Sequence, residues 1–184
     1  MEYSKEELRQ RFLARLKIDD QLRDEASKKI VEKLSQILLR AKGPVAAFCA
    51  LGSEPVLKDL VNSLNLDWVF PRVEGDTMSF YRSRWDQLKP GAYRVFEPEA
   101  EVSARVQIDE LSWVLVPGVS FDRNGVRLGR GKGFYDRTLQ NYSGQKVGVC
   151  LNQGVSNESL PKEDHDLKMD WLVTDQFVMR PLAS

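Results

Sequence analysis

The chain has 184 residues, 42% of them apolar, enough for one domain with its own core. Lysine plus arginine and aspartate plus glutamate each total 27, so the formal charge is zero and there is no electrostatic footprint for duplex nucleic acid or an anionic membrane. The single histidine, His165, excludes zinc sites built on several histidines and leaves histidine-dependent triads one residue to draw on.

The opening Met-Glu-Tyr-Ser-Lys-Glu-Glu is polar where a secretory signal is apolar, and no apolar run reaches the roughly 18 residues of a spanning helix. The expected location is the cytoplasm. Ser4 and Glu7 have capping-box spacing, which predicts a helix from Lys5 to about Lys17. Asp19 and Asp20 open a second helix, in which Leu22, Ala26, Ile30, Leu34 and Leu38 mark one apolar face up to Arg40. Gly43-Pro44 ends it. Val45 to Leu51 is an apolar run of strand length, and Pro55 to Leu64 has helical spacing. Trp68-Val69-Phe70 predicts a second strand, ended by Pro71.

Met78 to Arg82 reads as a strand and Lys89-Pro90-Gly91 as a turn. Leu111 to Val116 is a further strand, stopped by Pro117-Gly118, and Phe134 to Gln140 can open a helix. Lys146 to Leu151 and Trp171 to Thr174 supply two more strands. Cys49 and Cys150 sit in apolar contexts and read as buried strand thiols, neither a disulfide nor a metal site. The alternation predicts a single α/β domain over residues 1–184 with a mainly parallel sheet flanked by helices, a Rossmann-like three-layer arrangement. A small irregular or antiparallel extension is expected between about Val73 and Val106. A site would lie at the C-terminal ends of the strands.

The densest chemistry runs from Val116 to Arg137. Gly129, Gly131 and Gly133 alternate just before the predicted helix, where glycine permits positive φ and lets an anion approach the N–H groups. Arg127, Arg130 and Lys132 place three cations within six residues. Gly133 follows Lys132 where a Walker loop needs Ser or Thr, and Phe134 stands where a dinucleotide fingerprint needs its third glycine. The plain alternative is a basic surface turn. With Asp136 added, an anion site is the stronger reading.

Pro-Gly-Val-Ser-Phe-Asp followed by Gly-Val-Arg-Leu-Gly-Arg-Gly-Lys-Gly-Phe-Tyr-Asp-Arg resembles the signature of the 5-formyltetrahydrofolate cyclo-ligase family. The resemblance extends over nearly the whole chain: Lys5 and Arg9 in the first helix, Glu54 in Leu-Gly-Ser-Glu-Pro, and Tyr93 before Glu97-Pro98. It continues at Leu160-Pro161 and at the acidic run ending in His165-Asp166. It implies ATP- and Mg2+-dependent cyclisation of 5-formyltetrahydrofolate to 5,10-methenyltetrahydrofolate, with ADP and phosphate released. The partners would be these two small molecules, with no nucleic acid or membrane, and nothing demands more than a monomer.

The resemblance also assigns residues. Lys5, Arg9 and the segment Arg127, Leu128, Gly129, Arg130, Gly131, Lys132, Gly133, Phe134 and Tyr135 would bind ATP. Arg130 to Phe134 would also border the folate, together with Cys49, Glu54 and Tyr93. Arg130 and Lys132 would offset charge developing in transfer, and Asp136 and Asp166 would hold the metal. Each has a bland counterpart. Lys5 and Arg9, four apart, make an ordinary solvated basic face, and Arg130 and Lys132 can be solvent-facing cations. Asp136 suits a first helical turn and Asp166 a charged loop. Glu54 can cap the segment after Pro55, Tyr93 can be a core or surface aromatic, and Cys49 reads foremost as core. Gln153 is a weaker nucleotide contact, and His165 a hydrogen-bonding neighbour. A nucleotide- or folate-binding regulator without turnover, or a sugar-phosphate enzyme on a similar scaffold, remains as an alternative.

Overall fold

Helix α1 (Lys5–Arg15) starts where the capping box places it. In the computed structural model, which describes residues 3–163 and 166–181, Ser4 Oγ accepts from the Glu7 N–H at 3.3 Å. The Glu7 carboxylate accepts in return from the Ser4 N–H at 2.8 Å. Helix α2 (Asp20–Leu38) is capped by Asp19, whose carboxylate accepts from the Leu22 N–H at 2.9 Å. Ile30, Leu34 and Leu38 are fully buried, but Leu22 is 52% exposed. A helix of 19 residues is about 28 Å long, and its first turns overhang the core that the later turns cover.

The strands are β1 (Val45–Ala46), β2 (Trp68–Glu74), β3 (Thr77–Arg82), β4 (Lys89–Pro90), β5 (Phe96–Glu97), β6 (Arg105–Val106) and β7 (Trp113–Pro117). They continue with β8 (Ser120–Asp122), β9 (Arg127–Leu128), β10 (Gln145–Val149), β11 (Val155–Ser156), β12 (Trp171–Val173) and β13 (Val178–Met179). Among the described residues, eight form one sheet in the order β13-β12-β10-β7-β1-β2-β3-β6. The five from β12 to β2 are parallel; β13, β3 and β6 add antiparallel edges. Alternation along the strands feeds two cores. Val45, Trp113, Leu115 and Val173 face α2 and α3 (Lys58–Ser63). Ala46, Val114, Val116 and Leu172 pack on the other side with Leu139, Phe134 and Tyr135 in and beside α4 (Phe134–Thr138).

Pro71 does not end β2. Val69 bonds to β1 through its carbonyl, so Pro71, two residues on, turns its missing N–H to the same side, past the point where pairing with β1 stops. Lys89-Pro90 is likewise strand: β4 pairs with β5 in a two-stranded ribbon whose tip holds Tyr93 and Arg94 at φ 54° and 61°. A third, smaller core joins α1 to the three-stranded sheet β11-β8-β9, with Phe12 packed among Val119, Val126, Leu128 and Leu160. No helix among the described residues is long and apolar enough to cross a membrane.

The parallel strands follow the chain in the order β1, β2, β7, β10, β12 but stand in space as β2-β1-β7-β10-β12. The chain leaves β1 in one direction and later continues from β7 in the other. That reversal opens a crevice beyond the carboxyl ends of β1 and β7.

Candidate active site

A cavity of about 310 Å³ occupies this crevice. Phe48 and Cys49 reach it from the end of β1, Pro117 and Gly118 from β7, and Pro71, Val73 and Met78 from the β2–β3 hairpin. Its walls are mainly apolar, and its charged groups are Glu54, Glu97, Arg127, Arg130 and Lys132. An apolar cleft with a few convergent polar groups suits a small organic ligand.

The glycine-rich segment closes one side. Gly131 and Gly133 have φ of 93° and 67°, in the left-handed region that other residues enter at a cost. Gly129 serves differently: a methyl there would stand 2.7 Å from the Arg127 guanidinium. Arg127 is buried, donating from Nε to the Pro117 carbonyl at 2.9 Å and from Nη1 to both Asp136 oxygens at 3.2 and 3.1 Å. The Leu128 side chain is also buried, in the core beneath the loop. Arg130, Gly131 and Lys132 form the exposed tip. Because α4 has only five residues, an anion here would meet the loop's N–H groups and cations more than a helix end.

Helix α1 brings Lys5 and Arg9 to the same place. Arg9 Nε donates to the Gly129 carbonyl at 3.0 Å, and Nη1 pairs with Glu6 at 3.0 Å. Lys5 Nζ lies 2.6 Å from Asp166 Oδ2 and 3.3 Å from Glu163 Oε1. Burial alone would lower the Lys5 pKa, but its bonds to these two carboxylates outweigh that and raise it. On the cavity side, Arg130 Nε pairs with Glu54 Oε1 at 3.0 Å and its Nη2 donates to the Leu51 carbonyl. Glu54 Oε2 accepts from the Leu51 N–H at 2.9 Å. Burial pushes the Glu54 carboxyl above its ordinary range against the pull of Arg130. The Cys49 thiol is pushed up to about 12 by burial and then by the charge of Glu97, so it is no nucleophile at neutral pH. Burial also raises the Tyr135 phenol strongly.

Tyr93 stands 53% exposed at the cavity mouth, its ring 6.1 Å from that of Phe134 and 5.8 Å from Lys132 Nζ. Gln153 is exposed on a single turn after β10, and His165 lies outside the described residues. The two carboxylates expected to hold a metal stand as partners of cations, Asp136 with the loop's Arg127 and Asp166 with Lys5 on α1, four residues before the Arg9 that reaches the loop. No group of three or more metal-ligating side chains occurs among the described residues. Magnesium does not require one, since it takes one or two carboxylates alongside substrate phosphates, so this oxygen donor set fits it.

Two residues acquire roles that sequence reasoning missed. Asp122, the last residue of Pro-Gly-Val-Ser-Phe-Asp, is buried and accepts from the N–H groups of Asn124, Val126 and Leu160 at 2.9, 2.9 and 3.0 Å. It ties the β8–β9 turn to the segment leading to Asp166, and Asp-x-Asn-Gly was the available signal. Glu97, 5% exposed, lines the cavity; only its place before Pro98 marked it.

Residues 1–175 match the model of the 5-formyltetrahydrofolate cyclo-ligase family. A 5-formyltetrahydrofolate cyclo-ligase of Saccharomyces cerevisiae is 44% identical over 95 residues, which is 47% of this chain and 43% of that one, less than half of the yeast protein's length. One from Mycolicibacterium smegmatis is 32% identical over 141 residues, covering 71% of this chain and 72% of its own. The solved structure of Aquifex aeolicus 5,10-methenyltetrahydrofolate synthetase superposes with a TM-score of 0.84 at 34% identity, over 98% of this chain and 94% of that one.

Proposed function

Because the chain belongs to the 5-formyltetrahydrofolate cyclo-ligase family, we propose that it cyclises 5-formyltetrahydrofolate to 5,10-methenyltetrahydrofolate using ATP and Mg2+, releasing ADP and phosphate. The observation that carries the proposal is one convergence: a glycine-rich loop flanked by Lys5, Arg9, Arg130 and Lys132 opens onto an apolar cavity with an aromatic at its mouth. That pairs a seat for phosphates with a seat for a heterocycle.

The formyl oxygen is a poor leaving group. Attack of that oxygen on the γ-phosphorus expels ADP and turns it into a phosphate ester. N10 of the same molecule then attacks the formyl carbon, phosphate departs with the oxygen, and N10 gives up its proton. Held close, N10 profits from an effective molarity of roughly 10⁵ M or more. The N–H groups of Gly129, Gly131 and Gly133 cradle the phosphates, with Lys5 and Arg9 beside them and Arg127 adding positive potential from beneath. Phe134 and Tyr135 border the nucleotide end. Arg130 and Lys132, on the exposed tip between loop and cavity, offset the charge that develops in transfer. Glu54 holds Arg130 toward the substrate, Cys49 lines the pocket, and Tyr93 stacks on the pterin. Asp136 and Asp166 are the carboxylates that would hold Mg2+, which when bound neutralises phosphate charge.

We place the protein in the cytoplasm as a monomer acting on these two small molecules. The test mixes protein, ATP, magnesium and 5-formyltetrahydrofolate and follows the near-ultraviolet absorbance of the methenyl product. A rise that needs both ATP and metal is expected. A folded protein that binds ligand yet gives no rise would overturn the enzyme reading in favour of a non-catalytic binder.

A further inference from the structure

The charged groups lining the cavity differ in how the protein satisfies them. Arg127 is held by Asp136 and Pro117, Arg130 by Glu54 and Leu51, and Glu54 by Arg130 and the Leu51 N–H. Glu97 is left over. It sits on β5, 5% exposed, and its one hydrogen bond among the described residues is a long one, Oε1 accepting from the Val73 N–H at 3.3 Å. It joins no ion pair among those residues. A carboxylate offers about four acceptor positions, and burying one with a single weak bond is costly unless donors come from elsewhere.

The fold holds the side chain there, and among the described residues no cation pairs with it. Where β4 turns toward β5, the chain has Gly91, and a methyl on it would stand 2.2 Å from Glu97 Oε2. The carboxylate therefore lies against bare backbone on one side. The same cavity is lined by Phe48, Val73, Met78 and Val95, which have no side-chain donors, and by Tyr93, Tyr135 and Lys132, which have them but make no hydrogen bond to Glu97 among the described residues.

We propose that Glu97 recognises the heterocycle of the substrate, its oxygens accepting a pair of adjacent N–H donors, as on the 2-amino-4-oxopyrimidine edge of a pterin. The proposal rests on the folate reading above. It gives this task to Glu97 because both oxygens of Glu54 are already engaged. Two parallel donors on two carboxylate oxygens form a strong, directional contact, and a ligand without them leaves the buried carboxylate unpaired.

The test is equilibrium binding, without ATP, of 5-formyltetrahydrofolate and of an analogue with methyl in place of the 2-amino group, to wild type and Glu97→Gln. Wild type should prefer the parent by roughly ten- to hundredfold, the equivalent of one charge-assisted bond. Glu97→Gln should lose a similar factor for the parent and discriminate by less than about threefold, with ATP affinity and Tm little changed. Wild type that binds parent and analogue alike overturns the proposal without any variant, as does a folded Glu97→Gln that still discriminates fully. Wild type that turns over the parent but shows no discrimination sinks this assignment alone. Wild type that binds neither compound sinks the folate reading with it.

Discussion

Replacing Asp136 with asparagine separates two jobs that one carboxylate can hold. Both of its oxygens accept from Arg127 Nη1, and the two side chains are 16% and 7% exposed. Asparagine keeps the shape and one acceptor but removes the charge. The ion pair then becomes a bond from the Arg127 cation to a neutral amide oxygen, which keeps the hydrogen bond of about 1.5–3 kcal/mol but loses the attraction between two opposite charges. Arg127 retains its bond to Pro117, so the loss stays below the ~3–5 kcal/mol of a fully broken buried pair. The expected destabilisation is about 1–3 kcal/mol, or roughly 2–12 °C in Tm for a domain of this size. Urea unfolding with ATP, folate and metal all absent measures it. An Arg127→Met variant and the double variant complete a cycle, in which the pair should couple by at least about 1 kcal/mol. A ligand-free Asp136→Asn protein within about 0.5 kcal/mol of wild type would refute the reasoning, because Asp136 would then matter only once ligands are bound.

Gly129→Ala and Gly131→Ala should both destabilise, for different reasons. At Gly129 the methyl meets the Arg127 guanidinium at 2.7 Å, so its cost of about 1–3 kcal/mol should shrink in an Arg127→Met background. At Gly131 the nearest atom is 3.5 Å away and the cost of about 1–2 kcal/mol comes from φ, so it should not change in that background. The opposite pattern in unfolding experiments would reverse the assignment. Both cysteines should react slowly with a thiol reagent at pH 8 and quickly in urea, because Cys49 is pushed up to about 12 and burial raises Cys150 as well. The native thiols keep protons that the unfolded chain releases near its ordinary value of 9.0. Their contribution to stability is therefore complete below that pH and is lost as pH climbs toward 12. Rapid labelling of the native protein would contradict it.

What could be read in advance was local. The reciprocal Ser4–Glu7 cap, the apolar strand around Trp113 and the spacing of Ile30, Leu34 and Leu38 depend on neighbours a few residues away, and the structure has them as read. Leu22 obeys the same periodicity yet faces water, since periodicity identifies a helical face but not how much of it the sheet covers. Proline ends a strand only where its missing N–H is needed, and at Pro71 it is not. In the site, the glycines and cations were visible because the loop is contiguous. The ion pairs were not: Lys5 meets Asp166 across 161 positions and Arg130 meets Glu54 across 76. Glu97 escaped notice because its distinction is a shortage of partners, which only a packed structure reveals.

The docking of α1 has a consequence for how the chain comes to life. Its apolar strip, Leu8, Phe12 and Leu13, packs on residues more than a hundred positions downstream, and Lys5 finds Asp166 only after 161 further residues have been made. At roughly 5–20 residues per second, synthesis leaves the first helix waiting on the order of ten to thirty seconds for the rest of its site. An isolated helix of 11 residues is marginal in water, so through that interval α1 is a fraying segment with an uncovered greasy edge. The proposed phosphate seat is thus completed by a helix made well before the strands on which it docks.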